Sequence, residues 1–311
     1  MTSQSTSNLP TLENFCWVGS EASNFSDDSR IKVREIRCSS LLHSMNFGSS
    51  TEYTVNQYRG CTHGCVYCYA PSLIHDDRSW GSYVDVKINA HHVLDRELDR
   101  AKKQVVFVSS ASDPYQPVEA RFKVTQKVLK VLAKHRFPVL LLTRSPLVLR
   151  DLDILETLEW IRVGFSISSV STRSYEPGVP SVEKRIEALS KLRDRGISTW
   201  VSMAPIIPSL ILSDLDLLFD KLRDAGLSTI SFGLLRFNGY EKSRQMFEDR
   251  SGKTSEEVMK GGRSVYQEIQ ARAVRHGLDV TGSSLVWGGE SYSHKIPSIE
   301  SFAKQGESFS Y

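Results

Sequence analysis

The chain has 311 residues, of which 40% are hydrophobic, enough apolar material for one large α/β domain or for two smaller ones. Its 39 basic residues nearly balance 36 acidic ones, and this net charge of +3 does not argue for nucleic-acid binding. No run approaches the roughly 18 consecutive apolar residues of a membrane helix, and the first residues, MTSQSTSNLP, lack the basic and apolar regions of a secretory signal.

Residues 1–50 are rich in Ser and Asn and only weakly periodic, so we expect a partly disordered arm or cap over the core. We predict a core over 51–240. From residue 105 onwards, short and nearly continuous apolar runs alternate with segments of helical periodicity, which is the pattern of parallel strands covered by helices. The predicted strands are 105–109, 138–143, 161–168, 198–203 and 228–235.

Two segments between these strands, 182–189 and 215–222, carry apolar residues at helical spacing. Each leads into a related sequence, KLRDRGIST or KLRDAGLST, whose glycine (Gly196 or Gly226) is expected just after the helix end. Consecutive strand–helix units predict an α/β fold with mainly parallel strands, a partial or closed (β/α) TIM-like barrel. Residues 241–311 are expected to form a C-terminal helix and an irregular tail that pack on the core.

Five cysteines, an odd number with three of them in the segment YRGCTHGCVYCYAP (58–71), indicate a metal site in a reducing cytoplasm rather than a disulfide framework. Cys61, Cys65 and Cys68 could ligate three irons of a [4Fe–4S] cluster and leave the fourth iron open to a small molecule. Zinc is the rival, since it takes four ligands, and His63 or His75 would then supply the fourth.

The motif belongs to an ordered set of sequence blocks between about residues 52 and 240. The blocks are N-x-YRGC-x-HGC-x-YCYA, SDPYQPVE (112–119), LLTRSP (141–146), VGFSIS (163–168), EPG (176–178) and APIIPS (204–209). Together they resemble the radical S-adenosylmethionine (AdoMet, or radical SAM) family related to spore photoproduct lyase, whose members are often labelled DNA-repair photolyases. One small departure is Gln57, where the family usually has proline.

The resemblance implies a barrel of the radical SAM type that binds a [4Fe–4S] cluster through its three motif cysteines, and a set of AdoMet-binding residues. It places Tyr67 near the adenosine and Ser112 and Arg144 on the amino-acid part of AdoMet, with Asp113 adjacent to Ser112. Ser166 matches a third position that contacts AdoMet. It also implies that Tyr69 takes part in radical hydrogen transfer. Apart from Ser112, each of these residues has an ordinary alternative role: loop packing for the tyrosines, a turn or N-cap for Asp113, a solvated cap for Arg144 and a backbone-bonded core serine for Ser166.

Ser110 is the departure with the largest consequence. At this position the best-known spore photoproduct lyases have a cysteine that gives a hydrogen atom to the product radical. A serine O–H bond is too strong for that role, and Cys16 or Cys38 could replace it only if the N-terminal arm folds over the site. The resemblance therefore implies AdoMet cleavage more firmly than thymine-dimer reversal.

By this resemblance, a reductant such as flavodoxin or ferredoxin reduces the cluster, and AdoMet is cleaved to a 5′-deoxyadenosyl radical that abstracts hydrogen from a substrate, in a lyase- or transferase-type reaction. The substrate is a nucleobase or DNA lesion in the first hypothesis. In the second it is a small molecule or nucleoside of a biosynthetic pathway, for which a barrel without an added domain suffices. In a third, from another class, the chain is a non-catalytic iron–sulfur or zinc protein.

Overall fold

The computed structural model describes residues 31–47, 50–171 and 174–280. The part of the predicted arm before residue 31, including Cys16, and the predicted tail after residue 280 lie outside these residues. The strands are β1 (Lys32–Ile36), β2 (Leu42–Phe47), β3 (Ser50–Val55), β4 (Tyr58–Arg59), β5 (Tyr83–Lys87), β6 (Val106–Val108), β7 (Val139–Thr143), β8 (Ile161–Ser166), β9 (Ser198–Ile206), β10 (Thr229–Leu234) and β11 (Asp279–Val280).

Helices follow most of the strands, as the apolar periodicity predicts. They are α1 (Ala70–Ile74), α2 (Ala90–Leu98), α3 (Glu119–Phe122), α4 (Val124–Lys134), α5 (Leu152–Leu155), α6 (Val182–Asp194), α7 (Pro208–Ile211), α8 (Leu215–Asp224), α9 (Glu241–Ser251), α10 (Ser255–Met259) and α11 (Gly262–Arg275). A short 3-10 helix, Pro146–Asp151, precedes α5. Gly196 and Gly226 follow the ends of α6 and α8 with φ angles of +78° and +68°, as expected for glycines that end helices.

The main sheet has eight strands in the order β11-β10-β9-β8-β7-β6-β3-β2. All neighbouring pairs are parallel except β2 with β3, which are antiparallel. Within the described residues, the edge strands β2 and β11 are not paired with each other, so hydrogen bonds do not close the sheet. The fold is therefore a partial TIM-like barrel, one of the two forms that the sequence predicts, and all five predicted strands are confirmed.

The core lies between the outer face of the sheet and its helices. Val163 and Phe165 point to this side from β8, and Leu218, Phe219 and Leu222 meet it from α8, all of them fully buried. Burying each such side chain contributes about 1.5–3 kcal/mol.

A second, three-stranded sheet with the order β1-β5-β4 was not predicted. The sequence gives only a weak indication of these strands, because β4 has only two residues and four of the five residues of β1 are exposed. The sheet matters for the site because β4 leads directly into Cys61. Residues 32–47, within the segment expected to form an arm, contribute β1 and the edge strand β2.

Candidate active site

The predicted site residues meet at one edge of the main sheet. Strands β3, β6, β7 and β8 are parallel, so their carboxyl ends lie side by side. The cysteine loop (residues 60–69) follows β3 and β4, Ser112 and Asp113 follow β6, Arg144 follows β7, and Ser166 ends β8. Ligands of such sheets bind at this edge.

Cys61 is held by contacts on both sides of it in the cysteine loop. Gln116, which is fully buried, accepts a hydrogen bond from Thr62 N (3.1 Å) and donates one to Gly60 O (3.2 Å). Gly60 has a φ of +87°, and a Cβ there would lie 2.5 Å from the Tyr83 carbonyl oxygen. The peptide groups that flank Cys61 are thus fixed before any ligand binds.

The segment Tyr175–Gly178, which contains the EPG block, packs against the other part of the cysteine loop. Val66 N donates to Tyr175 O and Gly178 N donates to His63 O, both at 3.0 Å. A Cβ at Gly178 would lie only 2.5 Å from the Thr62 carbonyl oxygen. The glycine therefore allows two stretches of backbone to pack in direct contact.

Apolar side chains surround the motif cysteines. Phe247 of α9 packs in one cluster with Cys65 and Cys68, and Trp80 packs in another with Cys61 and Cys68. Burial raises the pKa of Cys65 to about 11 and that of Cys68 to about 12. Without a metal these thiols stay protonated, and bound iron would supply the positive charge that thiolates need in such surroundings.

The three cysteines fit a [4Fe–4S] cluster better than a zinc ion. Cys61 and Cys65 are buried and Cys68 is half-buried, all on one loop. In the part of the chain that the structure describes, no group of three or more Cys, His, Asp and Glu side chains could hold a single metal ion. A cluster does not need such convergence, since each thiolate binds a different iron. His63, one of the two candidate fourth zinc ligands, lies with its Nδ1 3.4 Å from the Asp113 carboxylate and also within hydrogen-bonding reach of Cys61.

Two of the predicted AdoMet-binding side chains have polar atoms open to a ligand. Ser112 Oγ and Arg144 Nε are buried atoms without a hydrogen-bond partner in the structure. Arg144 lies near Tyr67, with Nη2 3.5 Å from the tyrosine hydroxyl oxygen. Buried polar atoms are seldom left unpaired. Ser112 Oγ has no partner in the structure and Arg144 Nε has only the Glu176 carboxylate, at 3.6 Å, so both atoms can still bond a polar group at this edge.

Two of the other predicted residues, Asp113 and Ser166, are already bonded within the protein. Asp113 accepts hydrogen bonds from Tyr115 N (2.8 Å), Thr143 Oγ1 (2.7 Å) and Arg144 N (2.7 Å). Burial acts to raise the pKa of Asp113, but the charge of His63 and these hydrogen bonds hold it below its usual value. Ser166 Oγ donates to Ala204 O at 3.2 Å. Asp113 thus fixes the backbone at Arg144.

Tyr69 and Ser110 are neighbours at the same edge. The Tyr69 hydroxyl donates to the Ser110 carbonyl oxygen, and its ring lies 6.0 Å from that of Tyr240. Ser110 Oγ accepts hydrogen bonds from Thr54 Oγ1 and Asn56 Nδ2, both at 3.0 Å. Ser110 therefore lies at the site with its side chain held in place.

Cys38, one of the two cysteines considered as a replacement hydrogen donor, is half-buried. Its thiol contacts Asn89 Oδ1 at 3.6 Å, and its backbone N donates to the same oxygen at 2.9 Å. Asn89 lies directly before α2, so this thiol is bonded beside that helix.

Three buried residues at the site were not predicted: Gln116, Glu176 and Arg185. Glu176 Oε2 pairs with Arg185 Nη2 at 2.9 Å, and Arg185 Nη1 donates to Ser166 O at 2.7 Å. The sequence held one usable signal, because Arg185 lies on the apolar face of α6, between Val182 and Ile186. A charged residue in such a stripe needs a buried partner.

Comparisons with known proteins identify relatives of the chain. An uncharacterized protein of Methanocaldococcus jannaschii is 36% identical over 189 residues, which cover 59% of this chain and 71% of that protein. One of Mycobacterium tuberculosis H37Rv is 32% identical over 222 residues, covering 66% of this chain and 65% of that protein. A protein of Pseudomonas phage M6, named a radical SAM Nα-GlyT isomerase, is 24% identical, and the match covers 68% of this chain and 45% of that protein.

The fold resembles that of spore photoproduct lyase in complex with a dinucleoside spore photoproduct, with a TM-score of 0.63 at 18% identity, covering 80% of this chain and 81% of that one. Among the described residues, no helix is long and apolar enough to cross a membrane. The family model for the radical SAM superfamily matches residues 55–222, more than half of the chain. The match includes the cysteine loop and the ends of β3 and β6 to β9, and the chain therefore belongs to the radical SAM superfamily.

Proposed function

We propose that this chain is an enzyme that binds a [4Fe–4S] cluster through Cys61, Cys65 and Cys68 and cleaves AdoMet reductively. The observation that carries the proposal is the pair of unbonded polar atoms, Ser112 Oγ and Arg144 Nε, at the sheet edge that also bears the three thiols. Family membership supports the same reading, because radical SAM proteins use a cluster and AdoMet.

When bound, the cluster and AdoMet would supply the radical chemistry that removes hydrogen from the substrate, with an electron from a reductant such as flavodoxin or ferredoxin. The chain's own residues bind and orient AdoMet and exclude water from the site. Arg144 pairs with the AdoMet carboxylate, a task that suits a guanidinium, and Ser112 hydrogen-bonds the amino-acid part. Asp113 holds the Arg144 backbone, and Ser166 keeps the end of β8 in place.

Tyr67 packs beside Arg144, with its ring centroid 5.9 Å from the guanidinium carbon, and we assign it to the adenosine side of the site. The apolar cover formed by Phe247 and Trp80 keeps water from the cysteine loop. Tyr69 is the residue that we assign to hydrogen transfer, because its hydroxyl lies beside Ser110.

We propose a nucleobase-containing substrate. Support comes from the likeness of the fold to a lyase whose structure contains a dinucleoside spore photoproduct. Because Ser110 cannot donate the hydrogen atom that a cysteine donates in the best-known lyases, the last step of the reaction would differ from theirs. The net charge of +3 favours a nucleoside or a short segment over a long contact with duplex DNA.

The first experiment measures 5′-deoxyadenosine after anaerobic reconstitution with iron and sulfide and incubation with AdoMet and dithionite. Wild-type protein should form it, and Cys65→Ala should not. Cys38→Ala is the matched control, because it removes a half-buried cysteine outside the cysteine loop and should keep the activity. A colourless protein that binds zinc instead of iron would refute the proposal.

A second experiment tests the substrate class. Nucleosides, damaged oligonucleotides and small metabolites, each deuterated at carbon, are added in turn, and deuterium in 5′-deoxyadenosine is measured. Transfer from a nucleobase-containing compound is the expected result. Transfer of deuterium from small metabolites alone would refute the hypothesis of a nucleobase-containing substrate and favour a biosynthetic role.

A further inference from the structure

A buried carboxylate lies among the side chains that we assign to AdoMet. The Tyr67 hydroxyl donates to Glu176, Arg144 Nε lies 3.6 Å from Glu176 Oε1, and Arg185 Nη2 lies 2.9 Å from Oε2. Glu176 and Arg185 are each only 2% exposed. Glu176 therefore connects three parts of the fold: the cysteine loop, the end of β7 and helix α6.

The two guanidinium groups are held differently. Arg185 forms the close ion pair and also donates to Ser166 O, so it is fixed at both ends. Arg144 is too far from Glu176 for a hydrogen bond, and its Nε has no hydrogen-bond partner in the structure. Glu176 is one carboxylate between two guanidiniums, and Asp113, whose charge also acts on Arg144, is paired with His63. Arg144 is thus oriented by Glu176 but not neutralised, and it can still pair with an anion.

The position of Glu176 is itself tied to the cysteine loop. Its neighbour Tyr175 accepts a hydrogen bond from Val66 N, and Gly178 donates one to His63 O. The carboxylate is therefore placed relative to the same loop that carries the thiols. A displacement of Glu176 would change the position of Arg144 relative to those thiols.

We propose that Glu176, held by Arg185, is a positioning residue that orients Arg144 and Tyr67 to bind AdoMet. This inference rests on the proposed function, because it assigns these two side chains to AdoMet. Glu176 does not touch the ligand in this proposal and acts only through its neighbours. Its loss should therefore weaken AdoMet binding more than it changes the content of the cluster.

The test compares AdoMet binding by cluster-loaded variants in equilibrium dialysis with labelled AdoMet. Glu176→Gln keeps the shape and the acceptor for Tyr67 but removes the charge, and we expect the Kd to rise about tenfold, the loss of one charge-assisted interaction. Glu176→Asp keeps the charge and should restore part of the affinity. Glu119→Gln is the matched control: its fully buried carboxylate pairs with Arg150 at 2.6 Å, so it should lower Tm and leave the Kd unchanged.

A wild-type Kd in folded, cluster-loaded Glu176→Gln would overturn the inference and leave the proposed function standing. An equal rise in Kd for Glu119→Gln would also overturn it, because the effect would then be general destabilisation. If wild-type protein with a full cluster binds no AdoMet, the proposed function fails and the inference fails with it. Should Glu176→Gln not fold, Arg185→Lys must raise the Kd for the inference to hold, because lysine lacks the planar pair of donor nitrogens that bonds Glu176 and Ser166.

Discussion

Replacing Gly178 by alanine should separate the Tyr175–Gly178 segment from the cysteine loop. The added Cβ would lie 2.5 Å from Thr62 O, 2.8 Å from His63 O and 2.9 Å from His63 Cα, all backbone atoms that no rotamer change can move. Gly178 is not among the residues with positive φ, so alanine tolerates its backbone conformation and the clash is the whole perturbation. Either the segment or the loop has to shift.

The magnitude has two parts. Forcing an extra carbon into a packed contact costs about 1–3 kcal/mol, and losing the hydrogen bond from Gly178 N to His63 O costs about 1 kcal/mol more. Together they predict a loss of about 2–4 kcal/mol in the free energy of unfolding, or roughly 4–8 °C in Tm for a domain of this size. Iron content should fall as well, because the cysteines lie on the displaced loop.

Urea unfolding and iron analysis of anaerobically prepared protein would measure both effects. Gly262→Ala is the control: Gly262 also lacks a positive φ, and its nearest neighbour is the flexible end of a side chain, Leu234 Cδ1, at 3.3 Å. That variant should change stability by no more than about 1 kcal/mol. Wild-type stability and full iron in Gly178→Ala would show that the contact is looser than described and refute the reasoning.

Three further predictions concern other parts of the fold. Gln116→Met keeps the side-chain volume but loses both hydrogen bonds to the peptide groups beside Cys61. A chelator should therefore remove iron from this variant faster than from wild type, and equal rates would show that these bonds do not hold the loop. Phe247→Ala should destabilise by about 3–5 kcal/mol in urea, because this buried ring packs against Tyr175 and Phe237; a loss below about 1 kcal/mol would contradict that packing. Burial raises the pKa of Glu52 from 4.5 to about 7, so the folded state binds the proton more tightly and stability should decline as pH rises across that interval. Glu52→Gln should flatten this decline, and an unchanged slope would assign it to another group.

The parallel strands could be predicted because their apolar runs are continuous and their helices periodic. Strand β8, for example, carries Val163 and Phe165 into the core and is covered by helices, so its sequence alone marks it as buried. Strands β1 and β4 could not be predicted, since β1 is mostly exposed and β4 has two residues. Their pairing with β5 depends on tertiary contacts, which a local pattern does not encode.

The site residues that could be predicted are those recognisable by residue type and spacing. Thiols at x3 and x2 spacing and an arginine after a strand can be found from the sequence, and the structure brings Cys61, Ser112 and Arg144 to one sheet edge. The residues that hold them could not be found in this way. Gln116 is an amide between two prolines, Pro114 and Pro117, and its role depends on hydrogen bonds to backbone atoms 56 and 54 residues away in the chain.

The hydrogen bonds of Ser110 to its neighbours give a structural reason for a serine rather than a cysteine at this position. Ser110 Oγ accepts hydrogen bonds from Thr54 and Asn56, and Asn56 Oδ1 in turn accepts one from Ala111 N at 2.8 Å. A thiol sulfur is a weak acceptor, so a cysteine there would loosen the turn that places Ser112. Ser110 therefore stabilises the segment that we assign to AdoMet binding, although its hydroxyl could not return a hydrogen atom to a product radical. Under the proposed function, any hydrogen returned by the protein comes from another group, and we propose the Tyr69 hydroxyl, which donates a hydrogen bond to the Ser110 carbonyl, as that group.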